Sequence, residues 1–241
     1  MLLLWPIALL VIAGFCMAGS WQLSRMHQKE AMLAAVQRVL SAREAKPLAL
    51  AADTARASDY DWVAGDGRFI DAPAVLLDNQ SRDDRSGVRA YRVFQPRAPG
   101  ALPLLVDLGW LPLPGDRTMP VVAALPAPMM VQGLLAPPPS HGLIAATLSE
   151  QADGTLVTTG LDAPGLRSAL GQPLLAARVL KLDPATAIGY ARDLDILPNT
   201  LPPERHLGYA VQWFAMAAAV LVIALLLTFR TRKRAATRSP A

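Results

Sequence analysis

The sequence predicts a membrane protein in which two transmembrane α-helices flank a β-rich extracytoplasmic domain of α+β type, barrel-like or sandwich-like. Three observations predict it. Residues 207 to 229 hold 23 positions without one charged side chain, the chain opens on a second apolar run with no charge before Arg25, and residues 60 to 183 break into short extended runs bounded by Gly, Pro, Asp and Asn. Composition agrees, because 53% hydrophobic residues in a chain of 241 is high for a soluble globule.

The first span, residues 1 to 24, reads "MLLLWPIALLVIAGFCMAGSWQL" and onward. A secretory signal would carry basic residues ahead of an apolar core of about 7–15 residues. This run lacks that basic start and is longer, so a retained helix is expected, although Cys16-Met17-Ala18 resembles a weak cleavage site. Cys16 is no lipoprotein site, since Phe15 stands where a small residue is needed. As the single cysteine it also excludes an intramolecular disulfide.

Residues 25 to 46 place Met26, Leu33, Val36, Val39 and Leu40 at helical spacing and predict a helix emerging from the membrane and ending near Ala45, before Pro47. Residues 47 to 204 form the β-rich domain. Its strands are "YDWVAGDGRFI", "AVLLDNQ", "VRAYRVFQP", "PLLVDLGWLP", "MMVQGLLA", "GTLVTTG" and "LLAARVLKLD", at spacings that suit an antiparallel barrel or sandwich. "DAPGLRSALG" predicts a short helix capped by Asp162 and stopped by Gly171. The "GDG" at 65 to 67 lacks the rest of a dinucleotide fingerprint and reads as a hairpin turn. Asp83 and Asp84, between Arg82 and Arg85, read as a solvated, self-neutralised loop.

The second span covers residues 205 to 229, and its uncharged part reaches about 34 Å at about 1.5 Å per residue, enough for a hydrocarbon core of about 30 Å. Residues 230 to 241 are a basic tail. That tail holds five of the 23 basic residues, leaving 18 basic against 19 acidic between residues 25 and 205. The sequence pI near 9.6 therefore reflects a cytoplasmic stop with attraction for anionic lipid, and no nucleic-acid partner is expected. Two spans put both termini on one side, so the termini are expected in the cytoplasm and the central domain outside. Arg25, Lys29, Arg38 and Arg43 follow the first span and argue for the reverse. The denser tail is taken to decide, because the charge rule weakens for long translocated domains.

Chemistry-bearing residues are sparse. The three histidines, at 27, 141 and 206, form no metal-spaced cluster, and Ser140-His141 are adjacent with no orienting acid. Met129 and Met130 would face opposite sides of a strand, which argues against copper handling. No converging acid, base or metal set suggests an enzyme. His206 differs because of its place. On a helix, Tyr209 and Trp213 lie three and seven residues on, along the same stripe, and a flat apolar ligand could stack there. Such a stripe is either an ordinary interfacial belt or the site of an imidazole that ligates haem iron. At the matching end of the first span, Trp21 and Arg25 share a face, where Arg25 could pair with a propionate or serve as a snorkelling anchor.

"GSWQLSR" with Lys29 four residues after Arg25, "GDGRFI", "LLVDLGWLP" and "HLGYAVQWFAMA" resemble, in this order and spacing, the surfeit-locus family of cytochrome c oxidase assembly factors. The resemblance covers residues 19 to 217. It implies two transmembrane helices flanking a domain on the outer side of an energy-transducing membrane, and a role in supplying haem A to the catalytic subunit of the oxidase. His206 matches the histidine implicated in haem binding in bacterial members. The implied function is a non-enzymatic assembly factor that holds haem A transiently at the membrane boundary. His206 would meet the iron, Tyr209, Trp213 and Trp21 would pack the macrocycle, and Arg25 would lie near a propionate. Its partners would be the catalytic subunit, other assembly factors and the lipid membrane. The rival is a haem-free scaffold that stabilises an oxidase assembly intermediate. Without an Arg- and Ser-rich amphipathic leader, a bacterial inner membrane is expected over a mitochondrial one. Two family arginines are replaced, by Gln80 and Leu108. If these touched propionates or the oxidase, Arg82, Arg85 and Arg89 are the candidate substitutes.

Overall fold

The computed structural model describes residues 4–125, 128–139, 145–196 and 201–236, with side chains up to residue 231. The chain divides into two compact units, Met1–Ala34 with Thr200–Ala241, and Ala35–Asn199.

Helix α1 (Leu4–Ala42) runs without interruption through the first apolar run and the predicted emerging helix. It ends where Arg43 takes a left-handed φ of 44°. Within the second unit, Val36, Val39 and Leu40 pack on Trp62, Leu134 and Ala136, which is the apolar spacing noted in the sequence put to use. The Arg43 guanidinium caps this cluster, 4.8 Å from the Trp62 ring centre.

Strands β1 (Lys46–Pro47), β2 (Asp61–Phe69), β3 (Val75–Arg82), β4 (Arg85–Pro96), β5 (Leu104–Pro112), β6 (Met129–Ala136), β7 (Leu148–Glu150) and β8 (Leu156–Thr158) follow, then helix α2 (Ala163–Ala169) and β9 (Val179–Leu182). The sheet order is β1-β2-β6-β9-β5-β4-β3-β8-β7, and β2 also pairs with β4. That extra pairing closes β2, β6, β9, β5 and β4 into a five-stranded barrel, which removes the edges that an open sheet would expose. From β4 the sheet continues outward through β3, β8 and β7. All seven predicted strand segments are present. The expected all-antiparallel pairing is not, because β1–β2, β3–β8 and β5–β9 are parallel. Helix α2 supplies the crossover that lets β9 insert between β5 and β6. Its cap is as predicted: the Asp162 carboxylate accepts from the Gly165 N–H at 3.1 Å, and Gly171 stops the helix with φ 61°.

Two turn assignments change. The "GDG" segment lies inside β2, not in a hairpin turn. Gly67 pairs with Met129 of β6 and with Pro96 of β4, so it stands where β2 passes from one partner to the other. A Cβ there would come within 2.4 Å of the Gln95 carbonyl oxygen, so closure of the barrel requires glycine at this point. The actual hairpin turn is Asp83-Asp84, with φ of 50° and 58°, joining β3 to β4. Nor is that loop self-neutralised: Arg82 pairs with Asp193 at 2.6 Å and only loosely with Asp83 at 3.8 Å.

The barrel core is apolar, built around Leu76, Phe94, Leu104, Leu135 and Leu180. Leu108 belongs to it at 1% exposure, so one of the two replaced arginine positions faces the interior of the domain. The other, Gln80, sits beyond an irregularity in β3 and accepts the Trp110 indole N–H through its carbonyl oxygen at 3.4 Å. The proposed substitutes are engaged inside the unit. Arg82 holds Asp193, Arg85 lies 6.0 Å from the Trp110 ring centre, and Arg89 donates to Asp107 at 2.7 Å.

Two groups of buried charges tie strands together. Asp61, 0% exposed, accepts from Lys46 at 2.8 Å, Arg56 at 2.7 Å and Arg178 at 2.8 Å. Burial pushes its carboxyl up, but hydrogen bonds from Lys46, Arg178 and Arg56 outweigh that and hold it at about 2. Asp107 accepts from Arg89 and from the Gly109 N–H at 3.0 Å, while Lys181, 3.9 Å away, donates to the Asp195 carbonyl at 2.7 Å. Burial pulls the Lys181 ammonium down against the attraction of Asp107.

Candidate functional site

The first unit is a pair of helices, α1 up to residue 34 and α3 (Pro203–Ala236). Pro203 opens α3 at the position where its missing N–H costs nothing, and Glu204 places a carboxylate against the positive end of the helix dipole. Both helices are long and apolar enough to cross a membrane, which suits them to anchor the protein there. Their outward side chains, Leu10, Met17, Ile223 and Leu226 among them, are exposed, as a lipid-facing surface requires.

After Pro203 at its start, the shielded positions of α3 are 206, 210, 213, 217, 220, 224 and 228, and on α1 the matching stripe is 5, 8, 12, 15, 19, 22, 26 and 29. Spacings of three and four residues are those of a heptad seam, in which side chains of one helix fit between those of the other. Four contacts set an antiparallel register. The Trp5 indole donates to Thr228 Oγ1 at 3.1 Å, Phe15 meets Trp213 with ring centres 5.6 Å apart, Gly19 receives the Phe214 ring, and Gln22 meets His206. Beyond them the Lys29 ammonium donates to the Leu201 carbonyl.

His206 is 8% exposed. Its Nδ1 lies 2.7 Å from Gln22 Oε1, and its Nε2 is buried with no hydrogen-bond partner among the described residues. A buried polar atom without a partner is uncommon and costs the folded state about 1–3 kcal/mol. Nothing else in the seam has this character.

The other predicted site residues separate into two groups. Trp213 shares the seam with His206 but spends one face on Phe15. Tyr209 lies on the flank at 39% exposure: three residues from His206, it falls beside the stripe that continues through Ala210 and Trp213. Trp21 is 57% exposed, and Arg25, also exposed, holds its guanidinium 6.0 Å from that ring and donates to Gln28 Oε1 at 3.0 Å. Residue type does not single out Gln22, since an amide is neither acid, base nor soft ligand. The seven-residue spacing of Gly19, Met26 and Gln22, Lys29 carried the signal. His27 is exposed on α1, and His141 lies outside the described residues. Among the described residues no three His, Cys, Asp or Glu side chains gather as a metal site.

Comparison with known proteins finds a match to the model of the SURF1 family over residues 9–218. No curated protein matches the chain.

Proposed function

We propose that this chain, which belongs to the SURF1 family of cytochrome oxidase assembly factors, holds haem A in transit through His206 and delivers it to the catalytic subunit of the oxidase. The observation that carries this reading is the buried, unpartnered Nε2 of His206. A neutral imidazole nitrogen that is buried and has no hydrogen-bond partner among the described residues is suited to an iron. Haem A is cargo in this reading. A single assigned protein ligand suits release.

The remaining roles follow the surface each residue occupies. Tyr209 and Trp21 offer exposed ring surface to a macrocycle, Trp213 backs the seam beneath His206, and the exposed Arg25 guanidinium is available to a propionate. In the same reading residues 1 to 24 and 205 to 229 are the spans. The basic tail stands in the cytoplasm of a bacterium, and the β-rich domain works in the periplasm with the oxidase and its other assembly factors.

The test is the visible spectrum and extracted haem type of the detergent-purified protein from cells that make haem A, wild type beside His206→Ala. Haem A in the wild type and its loss from a folded variant supports the carrier. An empty wild type despite ample supply supports the haem-free scaffold, and haem retained in full by the variant moves the site elsewhere.

A further inference from the structure

We infer that Gln22 is the positioning residue of the site: its side-chain carbonyl holds His206 in the tautomer that leaves the Nε2 lone pair free to take a metal. This rests on the haem reading above.

The argument starts from what each atom can do. Gln22 Oε1 can only accept, so at 2.7 Å from His206 Nδ1 it requires a proton on Nδ1. The neutral ring then carries its lone pair on Nε2. The opposite tautomer would set the Nδ1 lone pair against a carbonyl oxygen and leave an N–H on Nε2, buried and without an acceptor among the described residues. The opposite tautomer would thus replace one favourable arrangement with two unfavourable ones. The seam register is what brings the pair together, since Gln22 and His206 are both shielded positions on facing stripes.

Metal-ligating histidines are commonly fixed by a partner on the far ring nitrogen, which sets both ring orientation and ligand basicity. A carboxylate in that role would draw the Nδ1 proton and make Nε2 a stronger donor. An amide fixes the tautomer with little added basicity. Gln22 thus gives a ligand that is aimed but weakly binding, which is the property required of a carrier that must release its cargo.

The experiment has two parts on the full-length protein in detergent. The first reads the ¹⁵N chemical shifts of the His206 ring in the haem-free wild type. A proton on Nδ1 is expected, and a proton on Nε2 overturns the inference without reference to haem. The second titrates haem A, with ferric protoporphyrin IX as a second probe, into wild type, Gln22→Leu, Gln22→Glu and His206→Ala, with helicity measured on each. Gln22→Leu should weaken binding about 10- to 100-fold. Gln22→Glu, which keeps an acceptor at Nδ1–H, should bind at least as tightly as wild type and shift the haem potential downward. If Gln22→Leu binds as wild type does while His206→Ala does not, the positioning role falls and the carrier stands. If His206→Ala binds as wild type does, both fall.

Discussion

In the barrel, Asp61 has no exposure and takes hydrogen bonds from three cations. In the helix pair, His206 is nearly as buried, and one of its two ring nitrogens has no partner among the described residues. The difference teaches how to separate structural from functional polarity. The buried Asp61 carboxylate is met by cations on both oxygens, because each lost interaction is expensive away from water. A buried ligand atom, the role proposed for His206 Nε2, would be left with its valence open and its orientation fixed. An open valence alone does not make a ligand: the Tyr91 hydroxyl and the Nε atoms of Arg92 and Arg178, all in the β-rich unit, are also buried without a partner among the described residues.

The largest expected effect tests the saturated side of this comparison. Asp61→Ala strands Arg178, which is fully buried, and should cost about 3–5 kcal/mol, read as a fall in the unfolding midpoint of the β-rich unit. The same carboxylate gives a pH signature. Its folded pKa, at about 2, lies below that of an unfolded aspartate, so its stabilisation is complete above the unfolded value and fades as pH falls through about 2. Thermal melts on the acid side should show that slope in the wild type and lose it in Asp61→Asn.

A smaller effect is expected where the second charge group meets the backbone. Gly109 has φ 115° and donates its N–H to Asp107, and a Cβ would stand 2.8 Å from the carbonyl oxygens of Tyr190 and Ala191. Gly109→Ala should lower stability by about 1–3 kcal/mol from backbone strain, and hydrogen exchange should rise at Tyr190, which bonds across to β5. An unchanged melt would show that Asp107 does not depend on this bulge.

His206→Leu should change the stability of the helix pair by no more than about 1 kcal/mol, since it removes one hydrogen bond together with one unmet buried nitrogen. A loss comparable to that of Asp61→Ala would make His206 a structural residue and break the comparison. Smallest of all, Tyr91→Phe deletes an unpartnered hydroxyl from a fully buried ring and should be neutral or stabilising by up to about 1 kcal/mol. Chemical denaturation of the two proteins side by side would measure it.

Much of the architecture was legible in the sequence. An uncharged run of bilayer length and short alternating strands are one-dimensional signals, because they arise from the period of a single element against its surroundings. The capped α2 was readable for the same reason, from Asp162 and Gly171 alone. Misreadings fell where two elements meet. "GDG" looked like a turn, yet its glycines serve the crossing of β2 between β6 and β4. Which side of α3 is covered was likewise not legible: the partner helix shields positions 206, 210 and 213 and leaves Tyr209 on the flank.

By itself the sequence determined the two long apolar helices and the β-rich unit between them, since hydropathy, period and charge placement are properties of the chain read in order. Only the tertiary structure decided that the strands close into a barrel, that Leu108 faces its core, and that Gln22 meets one nitrogen of His206 while the other has no partner among the described residues. Those are matters of which atoms far apart in the chain come within a few ångströms, and hydrogen bonding and desolvation act only at that range.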